Sequence, residues 1–337
     1  MARIATVIGA LWTAIRRDAK SLGSFSSNNF FIVGAAFLFL GDPGAFVSLN
    51  AVMAVILFFP LSTDPMRKIP AIRLALWPLT KQERWRLRIL SPWLNPITWL
   101  LAALAVWKGV TISLWAATAG LFAVAFVMPS LPLGGGNGIW RIMPTFPGPL
   151  NQLVRKDLRQ ILSSLDFYCA LSWGAIAAIT RATGRLPEDA RVPLSLVIVL
   201  ALSTIALNSF GLDGDAGVSR YRLLPIRGWQ ILLAKDAAFL LIAALLTVGL
   251  SASAGVSAAL TALAVGHFDS VTLRHRETRW RFRTSESFGR SILQVILLIV
   301  AGAGAGTGAS VPLFYFSGSI VLYAVSTWWF GRALERR

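Results

Sequence analysis

Charge is scarce in this chain. Only 14% of its 337 residues are Asp, Glu, Lys or Arg, against about 25% in an ordinary soluble domain. Acidic residues are scarcer still, 15 against 32 Lys and Arg. So little charge cannot cover a water-exposed body of this size, and lipid must act as solvent for much of it. Cysteine is nearly absent. Cys169 is the single one, inside an apolar run, so an internal disulfide framework is excluded and the residue reads as a small buried hydrophobe. Histidine is limited to two residues. His267, Asp269, His275 and Glu277 are the one grouping able to bind a metal. They lack signature spacing and read as solvated residues of a basic loop, so no metal or cofactor is expected. A Gly-x-x-x-x-Gly-Lys-Ser/Thr loop is missing, which excludes ATP hydrolysis by the P-loop route within the chain. His-Glu-x-x-His and Gly-x-Ser-x-Gly are missing as well. The chain is therefore expected not to be an enzyme. Gly304-Ala305-Gly306-Thr307-Gly308 fits a relaxed dinucleotide pattern without its βαβ context. Gly302 with Gly306, and Gly304 with Gly308, instead give the small-xxx-small spacing of close helix packing.

What the chain has in abundance is apolar length. Hydrophobic residues make up 55% of it, and its mean hydropathy is +0.65. Crossing about 30 Å of hydrocarbon at 1.5 Å per residue takes about 20 residues. Apolar runs bounded by breakers place spans at 22–40, 45–61, 92–107, 112–130, 161–180, 193–210, 237–250, 254–267, 291–306 and 311–330. The pair around Gly41-Asp42-Pro43-Gly44 is the best candidate for a re-entrant hairpin. The fold class expected is an all-α, polytopic bundle of about ten spans.

Before the first span, Ile4, Val7, Ile8, Leu11, Trp12 and Ile15 recur at helical spacing opposite Arg3, Thr6, Thr13, Arg17 and Lys20. That pattern is an amphipathic interfacial helix and not a signal peptide. With the N-terminus inside, the outer loops hold Lys108, Arg181, Arg185 and Arg191. The other 28 of the 32 Lys and Arg then lie on the cytoplasmic side or its border. So lopsided a split puts both termini in the cytoplasm and accounts for the net charge of +17 without nucleic acid.

Two markers recur in order. Ile15-Arg16-Arg17-Asp18-Ala19-Lys20 resembles Val154-Arg155-Lys156-Asp157-Leu158-Arg159, 139 residues on. The second of these lies on an amphipathic helix with Leu150, Leu153, Val154, Leu158 and Ile161 along one side. Leu76-Trp77-Pro78-Leu79-Thr80, leading into Lys81-Gln82-Glu83-Arg84, matches Leu223-Leu224-Pro225-Ile226-Arg227, leading into Gly228-Trp229-Gln230-Ile231, 147 residues on. Together they suggest a duplicated unit of interfacial helix, hairpin, basic loop and hairpin. Residues 1–130 form the first transmembrane unit, 131–149 a Gly/Pro-rich cytoplasmic linker, and 150–337 the second unit.

These residues resemble the permease subunits of ABC-type exporters of the type-2 class. The match is closest at Asn208-Ser209-Phe210-Gly211-Leu212-Asp213-Gly214, at Leu223-Leu224-Pro225-Ile226, and at Leu232-Leu233-Ala234-Lys235. The basic stretch from Arg274-His275-Arg276 to Arg283, with Glu286, is similar too. The copy at Pro78 departs from the pattern, with Lys81-Gln82-Glu83-Arg84 where the family has an apolar helix start. The resemblance implies a permease of the bacterial cytoplasmic membrane, working by alternating access with a separate P-loop ATPase subunit; either one chain engages two ATPase subunits through two coupling loops, or two chains pair as a homo- or heterodimer. It implies that Leu224, Pro225, Ile226, Arg227 and Trp229, with Trp77, Pro78 and Leu79 in the first unit, form ATPase-coupling loops. The same residue types also suit lipid headgroups. Asp166, shortly inside its span, is the candidate polar residue facing a pathway, and Asp236 reads as interfacial. Two other functions are an enzyme acting on a lipid-linked substrate and a membrane scaffold without transport.

Overall fold

The structure, a computed structural model, describes residues 2–20, 66, 76–94, 99, 103, 150–182, 184, 186–213, 220–221, 225–272, 288–306 and 311–336. The described residues are helical throughout, with turns between. The expected spans 22–40, 45–61 and 112–130, nearly all of 92–107, the Gly41–Gly44 hairpin and the linker 131–149 lie outside them. The nine described α-helices are α1 (Ala2–Lys20), α2 (Lys81–Leu90), α3 (Asn151–Leu162), α4 (Leu165–Ala182), α5 (Arg191–Leu207), α6 (Gly228–Thr247), α7 (Ala252–Thr272), α8 (Phe288–Gly306) and α9 (Pro312–Arg336). Two compact units divide them. Met1–Ala123 with Trp280–Phe282 contains α1 and α2, and Val124–Arg279 with Arg283–Arg337 contains α3 to α9.

In the first unit α1 presents Ile4, Val7, Ile8 and Leu11 to the buried Leu87 of α2. Trp77 and Leu79 pack on the same cluster, while Pro78 is exposed. Thr80 caps α2 reciprocally. Its hydroxyl accepts from the Glu83 N–H at 3.2 Å, and its own N–H donates to Glu83 Oε2 at 2.9 Å.

Among the described residues of the second unit, four helices are long and apolar enough to cross a membrane: α6, α7, residues 289–306 of α8, and α9. The bent pair α3 and α4 makes a fifth if counted as one span, with a 75° turn between its arms. Ser163 and Ser164 lie at that turn and donate back to the Gln160 and Ile161 carbonyls at 2.8 and 2.7 Å. Such back-bonding offers the chain an alternative to the next helical hydrogen bond and stabilises a bend. On α3, Val154, Leu158 and Ile161 are buried, in line with the expected apolar side.

Helix α7 is the centre of this unit, packed by α5, α6, α8 and α9. Small residues make that possible. A Cβ on Gly266 would lie 2.5 Å from the Ala206 carbonyl oxygen of α5, so the two backbones touch. Gly302 and Gly306 of α8 sit against Leu196 and Val192 of α5 and Ala254 of α7. Gly302 and Gly306 thus serve helix packing, as the small-xxx-small spacing predicts, while Gly308 lies outside the described residues.

Helix α6 starts earlier than its apolar run. The expected span began at 237; the helix begins at Gly228, after Pro225 and Arg227. The Arg227 N–H donates to Gln230 Oε1 at 2.9 Å, the same bond that Thr80 makes to Glu83, and the two sites lie 147 residues apart. Leu79 and Ile226, each next after the proline, both pack against a local core cluster.

Candidate functional site

Polar side chains concentrate where α3, the 3-10 turn Ser209–Asp213 and α6 meet. Lys235 is 4% exposed, and all three of its ammonium protons have acceptors. These are Asp157 Oδ1 at 3.2 Å, the Ser209 carbonyl at 3.1 Å and Asp213 Oδ2 at 2.7 Å. The Phe210 and Tyr221 rings lie beneath the same nitrogen, with centroids at 5.0 and 5.4 Å. Lys156, at the rim, bonds Asp213 and donates to the Tyr221 hydroxyl at 2.6 Å. Tyr221 in turn donates to Asp213 Oδ2 at 3.0 Å. Two ammonium groups therefore meet two carboxylates, and the cluster is neutral as a whole.

Burial alone would raise the Asp213 carboxyl, but Lys235, with Lys156 and the hydrogen bonds from both, outweighs it and holds the group down to about 2. Burial pushes the Tyr221 phenol up, so it stays a donor. A carboxyl depressed in the folded state contributes stability above its unfolded value, near 3.9, and loses it as pH falls toward the folded value. The contribution of Asp213 to thermal stability in detergent, read as the difference between the unaltered chain and Asp213→Asn, should therefore be level from neutrality to about pH 4 and decline between about pH 4 and 2. A difference that stays level throughout would assign any acid sensitivity to other groups.

A second cluster lies deeper. His267 of α7 and Asp236 of α6 are each 1% exposed. His267 Nε2 is 3.0 Å from Asp236 Oδ2, and Nδ1 is 3.0 Å from Ser326 Oγ of α9. Tyr323 donates to the same Asp236 oxygen at 2.9 Å. The set has the membership of a Ser-His-Asp triad but not its proton arrangement. Ser326 donates its single proton to the Ala264 carbonyl at 2.7 Å, so its hydroxyl can only accept from Nδ1 and the imidazole has no lone pair there to act as base. Between the clusters lies a cavity lined by Asp157, Gln160, Ser209, Lys235, Asp236 and Phe239, with room for about one water.

The structure thus corrects two expectations. His267 and Asp269 are not solvated loop residues: α7 continues to Thr272 and buries both. The apolar run ends at His267 because the next turn is polar, yet Asp269 there pairs with Arg290 of α8, and Ser270 and Thr272 donate back to carbonyls of α7. Asp236 is not interfacial either, since α6 starts eight residues before it. Asp166 is buried at 4% exposure and accepts from Thr204 of α5. Of the coupling-loop residues, Pro225 and Arg227 are exposed, Trp229 is 39% exposed, and Ile226 is half-buried against Phe210, Ile231 and Leu334. Leu224, His275 and Glu277 lie outside the described residues. Among the described residues no group of three or more His, Cys, Asp and Glu has metal-binding geometry. Cys169 is buried. No sequence spacing links Asp157, Asp213 and Lys235. The one signal available was a charged pair, Lys235-Asp236, next to an apolar run.

Comparison of the chain with protein-family models, with curated proteins and with solved structures gives no match.

Proposed function

We propose that the chain is the membrane permease subunit of an ATP-driven exporter, working by alternating access with a separate P-loop ATPase subunit. The observation that carries this reading is the base of α6. Pro225, Arg227 and Trp229 stand exposed at the start of a helix that runs unbroken from Gly228 to Thr247. A force applied to that first turn is delivered to the interior without a hinge. The turn is also tied to the bundle: the Gly228 N–H donates to Glu335 Oε1 at 2.8 Å, and Lys235, two turns on, holds α3 and the 209–213 turn. An apolar knob with basic flanks at a helix start suits docking into a partner's groove.

The finer parts of the reading are about ten spans in two related halves, both termini in the cytoplasm of a bacterium, and a paired permease. The matching N–H bonds at Thr80 and Arg227, each two residues after a proline, support descent of the halves from one unit. Trp77, Pro78 and Leu79 would then form the second coupling loop. Convergence of Asp157, Lys235 and Asp236 on one cavity is what an enzyme acting on a lipid-linked substrate would need. That cavity has room for about one water, far too little for such a substrate.

In the purified complex with its ATPase, Pro225→Ala combined with Trp229→Ala should leave insertion and basal ATP hydrolysis intact and abolish substrate-stimulated hydrolysis. Unchanged stimulation would remove these residues from the mechanism, and a chain that purifies with no ATPase would sink the reading.

A further inference from the structure

We infer that the His267–Asp236 pair is a proton-binding site within the helix bundle, loaded and unloaded through the cavity beside Asp157 and Lys235, so that the protein takes up and releases one proton as it works. The inference stands on hydrogen-bond and charge accounting and does not depend on an ATPase partner.

Ser326 accepts from Nδ1, because its own proton goes to the Ala264 carbonyl. Nδ1 therefore carries a hydrogen. Asp236 Oδ2 also accepts from Tyr323 and faces Nε2 at 3.0 Å. The hydrogen between Nε2 and Oδ2 completes the set, whichever atom holds it. Imidazolium with carboxylate and imidazole with carboxylic acid contain the same number of protons and have the same net charge, zero. Removing that hydrogen leaves one negative charge in a buried site, which is costly without a counter-ion.

Among the described residues the neighbouring groups supply no counter-ion. On α6, Lys235 is committed to Asp157 and Asp213. On α8, Arg290 is committed to Asp269 of α7. On α9, Tyr323 is a neutral donor to Asp236. Asp166 of α4 is bonded to Thr204 of α5, and Lys156 of α3 to Asp213 and Tyr221. The arrangement seen is thus the loaded form. Unloading requires either that Lys235 be shared with Asp236 or that water enter.

The cavity allows both. It touches Asp236 on one side and Asp157 and Lys235 on the other. The outer cluster reaches solvent through Lys156, whose side chain is 43% exposed. One water in the cavity would join Asp236 to the ionisable Asp157 and so to the surface. A purely architectural pair would have no need of such a connection, and a dry apolar filling would serve stability as well.

The chain has two histidines, so His275→Ala leaves His267 as the only imidazole. We would label that chain with 15N-histidine, place it in phosphatidylcholine nanodiscs and record the imidazole nitrogens from about pH 5 to about 9. A proton site gives one averaged set of signals that moves by a single protonation step. In Asp157→Asn, Lys235 is freed toward Asp236, so the protonation step should move to lower pH, by about 1 pH unit or more. Signals that stay fixed across the whole range would overturn the inference. A step at unchanged pH in Asp157→Asn would overturn the proposed link through the cavity. Should that variant not fold, the pH series on the otherwise unaltered chain still decides.

Discussion

Lys235→Met should be among the most destabilising single changes in the second unit, costing about 3–5 kcal/mol. Methionine matches the stem in length and fits among Phe210, Tyr221 and Leu232, so packing is nearly kept. What is lost is the cation. Asp157 and Asp213, 5% and 2% exposed at their side chains, would be left with Lys156 alone. Lys156 cannot take over, because its head lies at the rim, where an ion pair is worth about 1 kcal/mol at most. The Ser209 carbonyl also loses its donor. Adding Asp157→Asn restores equal numbers of charges and should recover about half of the loss, with the remainder reflecting hydrogen bonds not regained. Reversible unfolding in detergent provides the measurement. A cost for Lys235→Met below about 1 kcal/mol would mean that the cluster is hydrated and contributes little.

The second large effect is expected at the contact between α6 and α9. A Cβ on Gly228 would lie 2.2 Å from the Gly331 carbonyl oxygen, and a Cβ on Gly331 would lie 2.6 Å from the Trp229 Cα. In both cases the obstacle is backbone, so no rotamer change relieves it. Carbon atoms settle at about 3.5–4.0 Å, and the helices would have to separate by about 1 Å. That breaks the bond from the Gly228 N–H to Glu335. Alanine in a helix is ordinarily better than glycine by about 1 kcal/mol. Here Gly228→Ala and Gly331→Ala should both be worse, by about 1–3 kcal/mol, because overpacking exceeds the propensity gain. Gly318 of the same α9 is the control. Its added Cβ would meet nothing within 4 Å, so Gly318→Ala should be neutral or stabilising. If all three substitutions behaved alike, propensity alone would be at work. Under the exporter reading, Gly331→Ala should also weaken coupling, because it displaces the Trp229 backbone without altering the Pro225 or Trp229 side chains.

Helical class, the apolar face of α3 and the amphipathic helix α1 were legible because each depends on local periodicity. Val154, Leu158 and Ile161 repeat at three and four residues, and those side chains are buried, together with Asp157. The glycines of α8 were legible for the same reason. The polar site was not. Lys235 pairs with Asp157, 78 residues earlier, and His267 pairs with Asp236, 31 residues earlier. Such partners are chosen by tertiary packing, which hydropathy cannot report. Hydropathy worked against the site in two places. It cut α6 short at 237 and α7 at 267, since a buried charge with a partner on another helix scores like an exposed one. Proline and the cap at Arg227 were better guides to where α6 begins than its apolar content.

The composition of α7 bears on how the protein is made. Of the four long apolar helices it is the least hydrophobic, and it is also the most enclosed. Ala, Gly, Ser and Thr dominate its contacts, and its last turns contain His267 and Asp269. A segment of that kind is a weak signal for entry into a bilayer by itself. Only Val248–Ser251 separates it from α6, the most hydrophobic of the four. The two should therefore partition during synthesis as one hairpin, with α6 carrying its partner in. The polar side of α7 would then stay hydrated until α8 and α9 emerge from the ribosome and close around it.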